Sequence, residues 1–223
     1  MEVKKLKKIC KYNAVLHLNS GLSIKGNNND INIGGLDCEV IKNPVTREVY
    51  IPGSSVKGKM RSLLELSSDK GVNVQTDKKG QPYADPCRCG ICDICRVFGA
   101  HKNPNAKSAP TRIIVRDALL TDASREMIQN MPMESGSYLE VKAENSINRA
   151  TGTANSPRFI ERVPAGMEFN LEVVLQIFEG DDEASLKGLI AKGLTILENS
   201  YLGGSGSRGY GSISIKDGAW TEV

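Results

Sequence analysis

Aromatic side chains are scarce in this 223-residue chain, which has four Phe, one Trp and six Tyr. A ligand surface built mainly from stacked rings is therefore disfavoured. Histidine is scarcer still: His17 and His101 are the only two, which leaves little room for imidazole acid–base chemistry. No apolar run approaches the roughly 18–20 residues that cross a bilayer. The basic N-terminus, MEVKKLKKIC, has no long apolar stretch behind it. It does not read as a signal peptide, so a soluble, cytoplasmic protein is expected. An excess of one charge is lacking too, since 29 Lys+Arg against 26 Asp+Glu leave +3. A polyanion would have to be gripped by local clusters of cations.

What is present suffices for a core. Hydrophobic residues make up 39% of the chain, with 22 glycines besides, the composition of one large globular domain or two small ones. Leu6 to Leu18 alternates, with Tyr12, Ala14, Leu16 and Leu18 opposite Lys11, Asn13 and His17, and predicts a half-buried strand. Gly21 to Gly35 is rich in Gly and Asn and predicts an exposed loop. Two short strands are expected around Asn43-Pro44. A helix capped by Ser54 or Ser55 follows to about Leu66, with Val56, Met60, Leu63 and Leu64 at helical spacing. Thr111 to Leu120 predicts a second core strand and 122–130 a short helix. Glu140 to Pro157 is too polar for a core. Met167 to Phe178 alternates again, Asp181 and Asp182 open an amphipathic helix to about Asn199, and Ser212 to Ile215 closes the chain as a strand.

Without its insertions, that order is β-α-β-β-α-β, the α+β signature of a ferredoxin-like antiparallel sheet with both helices on one face. About half of the chain is then insertion, where function usually sits. No internal repeat is found.

Cys87, Cys89, Cys92 and Cys95 fall within nine residues. Cysteines this close cannot pair freely as disulfides without strain. Thiolates at these spacings can converge on tetrahedral Zn2+, with an iron–sulfur cluster as the rival. Four ligands close the site, so the ion would fold a loop that has almost no core of its own. His101 could replace one thiolate. Cys10 and Cys38 stand alone and read as small buried hydrophobes.

Gly53 to Lys59, GSSVKGK, fits the phosphate loop G-x-x-x-x-G-K, but Met60 stands where Ser or Thr should bind magnesium. The NTPase reading fails and the physical content remains. Free amides at a helix start, Ser54, Ser55, Lys57, Lys59 and Arg61 make an anion site suited to a nucleic-acid phosphate. Near the C-terminus, Gly203, Gly204, Gly206, Gly209 and Gly211 surround Arg208. Arg208 to Gly211, RGYG, matches half of the RNA-recognition signature. Ser212 and Ile215 replace its stacking aromatics, so backbone tracking is expected over base stacking. In a ferredoxin-like sheet this loop could lie near the start of the first helix, merging two sites into one groove.

Four stretches, IPGSSVKGKMR, LGGSGSRGYG, VKAENSINRATGTANSPRFIERV (Val141 to Val163) and Gly34 to Asp37, together resemble the RAMP superfamily. Within it they are similar to the repeating backbone subunit of type III CRISPR effector complexes, of the III-A or III-D kind. The resemblance runs in order from about residue 15 to 215. It implies a single modified ferredoxin-like (RRM-like) domain over 1–223, with insertions at about 19–37, 68–110 (zinc-binding) and 138–163 (a thumb-like hairpin). It further implies copies stacked head to tail on a guide RNA, beside other type III subunits. Each copy would cut complementary target RNA at regular intervals with a divalent metal, Mg2+ or Mn2+. Asp37 then matches the cleavage aspartate, with Asp30 as a rival in the same loop. Lys57, Lys59, Arg61 and Arg208 match guide-binding positions, and Ser54, Ser55 and Gly204 belong to the same motifs. Glu144 and Arg149 match charged hairpin positions, Arg149 with a phosphate role and Glu144 as the partner of a cation. Ser23 stands where many members carry histidine. A non-catalytic guide-binding scaffold is the alternative, and a free-standing processing nuclease a third reading.

Overall fold

A computed structural model describes residues 4–26, 38–68, 72, 74–131 and 137–223. Its elements in chain order are β1 (Leu6–Leu18), β2 (Tyr50–Ile51), α1 (Gly53–Leu66), β3 (Gln75–Thr76), β4 (Pro82–Tyr83), α2 (Asp93–Phe98) and β5 (Ile113–Val115). There follow β6 (Ala118–Leu120), α3 (Asp122–Asn130), β7 (Glu140–Ile147), β8 (Ala154–Arg162), β9 (Glu168–Phe178), α4 (Glu183–Glu198) and β10 (Ile213–Glu222).

The main sheet is antiparallel and ordered β10-β1-β9-β6-β2, with β5 also paired to β9. The alternation read in β1 and β9 sets its register, because a slip by one residue would turn every apolar side chain to solvent. Leu16 lies opposite Phe169 and Ala14 opposite Leu171, and all four are buried. Val56, Met60 and Leu64 of α1 and Leu186, Ile190, Leu194 and Leu197 of α4 join them in one apolar cluster. The other face of the sheet is polar: Glu168 takes His17 and Lys216, and Glu172 takes Lys11 and Arg116. Among the described residues, no row of exposed rings stands on that face for bases to stack on.

Several expectations change in detail. Thr111 to Leu120 is two short strands, because Asp117 in the break between β5 and β6 turns its carboxylate to accept the Gly53 N–H at 2.8 Å. Neither Ser54 nor Ser55 caps α1; the N-cap is Pro52, and no side-chain cap is made there. The start of the loop expected to be exposed is buried at Leu22 and Ser23. Leu22 exchanges two backbone hydrogen bonds with Val163, at 2.9 and 2.8 Å, while residues 27–35 of that loop lie outside the described residues. The last strand continues past Ile215 to Glu222, since β1 is long enough to pair as far as Cys10 with Glu222.

Two small sheets stand apart from the main one, β3 with β4 ahead of the cysteine cluster, and β7 with β8 in the stretch read as too polar for a core. The β7–β8 hairpin is anchored at its base, where Ile160 and Val163 are buried, and most of its remaining length is exposed.

Candidate nucleic-acid interface and metal centre

Helix α1 begins where β5 runs past it at backbone contact. A Cβ on Gly53 would stand 2.1 Å from the Val115 carbonyl oxygen, so only glycine fits. The amides of Ser55 and Val56 both bond the Pro52 carbonyl, at 2.9 and 3.3 Å. With the Gly53 N–H held by Asp117, the helix start is largely satisfied from within the protein. Its cations diverge. The Lys57 ammonium lies 3.5 Å from the Ile113 carbonyl oxygen; burial first, and the nearby Arg61 second, hold its pKa below the usual lysine range. Arg61 is turned inward, with its Nε on Glu65 at 2.8 Å and its Nη2 on the Cys87 carbonyl at 2.8 Å. Ser54 is exposed and Ser55 half-buried.

Lys59 reaches the C-terminal loop. Its Nζ lies 3.4 Å from the centre of the Tyr201 ring, a cation–π contact. On the loop side the ring is covered by Gly206, where a Cβ would stand 2.0 Å from Tyr201 Cγ. The helix start and the glycine-rich loop are thus neighbours through Tyr201, a residue the motifs did not single out. Gly204 donates its N–H to the Ser23 carbonyl at 2.9 Å. Arg208 ends a short 3-10 turn and pairs with Glu144 of β7. Burial opposes ionisation of Glu144, but the Tyr210 hydroxyl and Arg208 outweigh it and lower the pKa. Tyr210 itself is buried between Lys142 and Arg162, each 4.7 Å from its ring centre, and so cannot stack on a base. Arg149 lies between β7 and β8, bonds the Ile147 carbonyl at 2.6 Å and is not among the residues that line the cleft described next.

Between the hairpin and this loop lies a cleft of about 480 Å³ lined by Lys142, Glu144, Arg158 and Arg208, among others. Three cations against one carboxylate suit a phosphate chain. A larger cavity of about 680 Å³ adjoins the cysteine loop, but Glu65, Asp85 and Asp93 there outnumber Arg88 and Lys192. Of the two, the smaller cleft carries the charge balance that suits a phosphate.

The sulfurs of Cys87, Cys89, Cys92 and Cys95 all lie within 4.8 Å of one another. The Cys87–Cys92 and Cys89–Cys95 separations are 3.9 and 3.8 Å. Metal–sulfur bonds of about 2.3 Å in a tetrahedron give edges of about 3.8 Å, so the donor set fits a four-coordinate ion. The N–H of Cys92 donates to Cys89 Sγ and that of Cys95 to Cys92 Sγ, both at 3.4 Å. Burial opposes ionisation of Cys89, but the Ile91 and Cys92 amides lower its pKa to about 6. Burial raises the pKa of Cys92 and Cys95. His101 is turned to Asp85 at 3.5 Å and is not one of the converging ligands. Cys10 is buried, as expected, and Cys38 half-buried.

Asp37 and Asp30 lie outside the described residues. The next residue, Cys38, is tied to the hairpin base: its carbonyl accepts the Glu161 N–H at 2.9 Å. The buried Glu161 carboxylate accepts the Val40 N–H at 2.9 Å and pairs with Lys42. Sequence reading missed Glu161, as it missed Asp117. A carboxylate beside an apolar Phe159-Ile160 pair was the one available signal.

The RAMP superfamily model matches residues 28–214. A protein of Methanothermobacter thermautotrophicus, the CRISPR system Cms endoribonuclease Csm3, is 45% identical over 210 residues, covering 89% of this chain and 80% of that one. Its namesake in Methanocaldococcus jannaschii is 42% identical over 205 residues, covering 91% and 77%. Among solved structures, a Csm3–Csm4 subcomplex of the type III-A CRISPR–Cas interference complex matches with a TM-score of 0.60 and 31% identity, over 98% of this chain and 81% of that one. A type III-B Cmr-beta complex bound to cognate target RNA matches in fold, with a TM-score of 0.61 at 14% identity, over 96% and 61%. The chain belongs to the RAMP superfamily.

Proposed function

We propose that this chain is a guide-RNA-binding backbone subunit of a type III CRISPR effector complex, and that it cleaves complementary target RNA at regular intervals as a divalent-metal-dependent endoribonuclease. One observation carries this reading: 89% of the chain is alignable at 45% identity to a protein named as a CRISPR endoribonuclease. The cationic cleft beside the glycine-rich loop supports it. The partners are guide RNA, target RNA, other type III subunits and further copies of the chain stacked head to tail, in the cytoplasm. Among the described residues no helix is long and apolar enough to cross a membrane.

The whole chain is read as a single modified ferredoxin-like domain. Support comes from the strand order β10-β1-β9-β6, with α1 between β1 and β5, and α4 between β9 and β10. The insertions at about 19–37, 68–110 and 138–163 carry the functional loop, the metal loop and the thumb-like hairpin. The four thiolates hold Zn2+ as a structural ion.

In this reading Ser54, Ser55, Lys57 and Lys59 at the start of α1, with Gly204 and Arg208 on the adjoining loop, track guide phosphates. Arg149 meets phosphate farther out on the hairpin. Phosphate contacts position the strand without reading its sequence. Asp37 accepts the proton of a target ribose 2′-hydroxyl. The 2′ oxygen then bonds the adjacent phosphorus while the bond to the 5′ oxygen breaks, and the departing 5′ oxygen takes a proton from water, leaving a cyclic phosphate and a 5′-hydroxyl. Alternatively, Asp37 would hold the divalent ion, Mg2+ or Mn2+, which would supply charge neutralisation at the phosphate.

Complexes assembled with guide and matched target RNA test the assignment. Asp37→Ala should keep binding of both RNAs and slow metal-dependent cutting by about 10²-fold or more. Cutting at the unaltered rate would reject Asp37 as the cleavage residue.

A further inference from the structure

Residue Cys87 is held twice over by α1. Its N–H donates to Glu65 Oε1 at 3.0 Å, and its carbonyl accepts Arg61 Nη2 at 2.8 Å. Arg61 and Glu65 are themselves paired at 2.8 Å, one helical turn apart, with only 14% and 12% of their side chains exposed. A guanidinium and a carboxylate on one helix face thus grip both polar backbone groups of a single residue, and that residue supplies a thiolate to the four-sulfur cluster. Lys57 and Lys59 stand on the same helix.

We propose that Arg61 and Glu65 are positioning residues, which clamp the metal loop to α1 so that metal occupancy sets the order of the helix that meets RNA. Arg61 is then not a phosphate ligand, although it sits in the basic run that matches guide-binding positions. The geometry favours the clamp on physical grounds. The planar guanidinium fork serves Glu65 and the Cys87 carbonyl at once, which an ammonium cannot do. Partners of this kind, which orient a ligand without touching the ion, typically hold about 10–100-fold of metal affinity. The inference rests on reading the thiolates as a metal site and α1 as part of the RNA groove.

Three measurements on the full chain decide it. Arg61→Gln should speed zinc loss to a chelating dye about tenfold while leaving the salt dependence of guide-RNA binding unchanged. Arg61→Lys should behave in the same way, because it keeps the charge and loses the fork. Hydrogen exchange across 53–66 in the unaltered chain should quicken when a chelator removes the ion. The clamp is overturned by either of two results: normal zinc retention in Arg61→Gln with a salt slope flattened by about one charge, the mark of a phosphate contact, or exchange in α1 that ignores the chelator. If the unaltered chain neither holds nor takes up zinc, the metal reading fails and the clamp with it. If Lys57→Ala leaves the slope unchanged, the groove fails and takes with it only the clamp's bearing on RNA.

Discussion

Arg112 meets Asp181 through two hydrogen bonds, of 2.7 and 2.9 Å, with neither side chain exposed. Arg208 meets Glu144 with 53% of the arginine side chain in solvent. Both pairs join an arginine to a carboxylate more than sixty positions away, yet they do opposite work. The buried guanidinium also bonds the Ser108 carbonyl at 2.8 Å, lies over the Phe178 ring and shares Asp181 with the Phe178 N–H. It fastens the end of the cysteine-bearing insertion to the turn between β9 and α4, and its full burial closes it to a ligand. Arg208 stands at the rim of a cleft, where a phosphate can compete for it. Solvent access separates a structural ion pair from an available one.

The largest expected effect would break this contrast at its buried end. Asp181→Asn leaves Arg112 charged, desolvated and without its counter-ion, and should cost about 3–5 kcal/mol. The measure is the urea midpoint at an unchanged slope. Replacing both partners together, as Arg112→Met with Asp181→Leu, should cost less than Asp181→Asn alone, because no unpaired charge remains. If Asp181→Asn unfolds at the wild-type midpoint, burial is not what distinguishes the two pairs.

A smaller effect sharpens the contrast through pH. Burial opposes ionisation of Asp181, but Arg112 and the Phe178 N–H outweigh it and hold the carboxyl below the usual aspartate range. The folded chain therefore binds this proton less readily than the unfolded chain does. The resulting stability is fully present above the unfolded value, about pH 3.9, and is lost as pH falls through the folded one. The gap in stability between wild type and Asp181→Asn should stay level at neutral pH and narrow below about pH 4. A gap that widens there would contradict the pairing.

How much of this could be read from the sequence depends on how local each cause is. β1, β9, α1 and α4 carry their own periodicity, and the Cys87-to-Cys95 spacing carries its own geometry, so both were legible. Asp117 was not: its carboxylate breaks a predicted strand in order to hold Gly53, 64 positions earlier. Asp181 read as a helix opener, yet Asp182 caps α4 by accepting the Ala184 and Ser185 amides, while Asp181 serves Arg112. Lys59 and Arg61 read alike as cations of one basic run. One lies on the Tyr201 ring and the other faces the cysteine loop, a difference set by partners far along the chain.

The smallest effect on stability, and the one that tests the exposed end of the contrast, belongs to Arg208→Ala. A pair whose arginine stands half in solvent contributes about 0–1 kcal/mol, so the urea midpoint should scarcely move. RNA binding should respond where folding does not: the slope of log affinity against log salt should fall by about one charge, to a similar extent for unrelated RNA sequences. Glu144→Gln separates the partners further, since it frees the guanidinium from an intramolecular competitor and should leave RNA affinity equal or higher. If Arg208→Ala destabilised the chain as far as Asp181→Asn does, Arg208 would be a second structural clamp, and the cleft would lose the cation that links the hairpin to the glycine-rich loop.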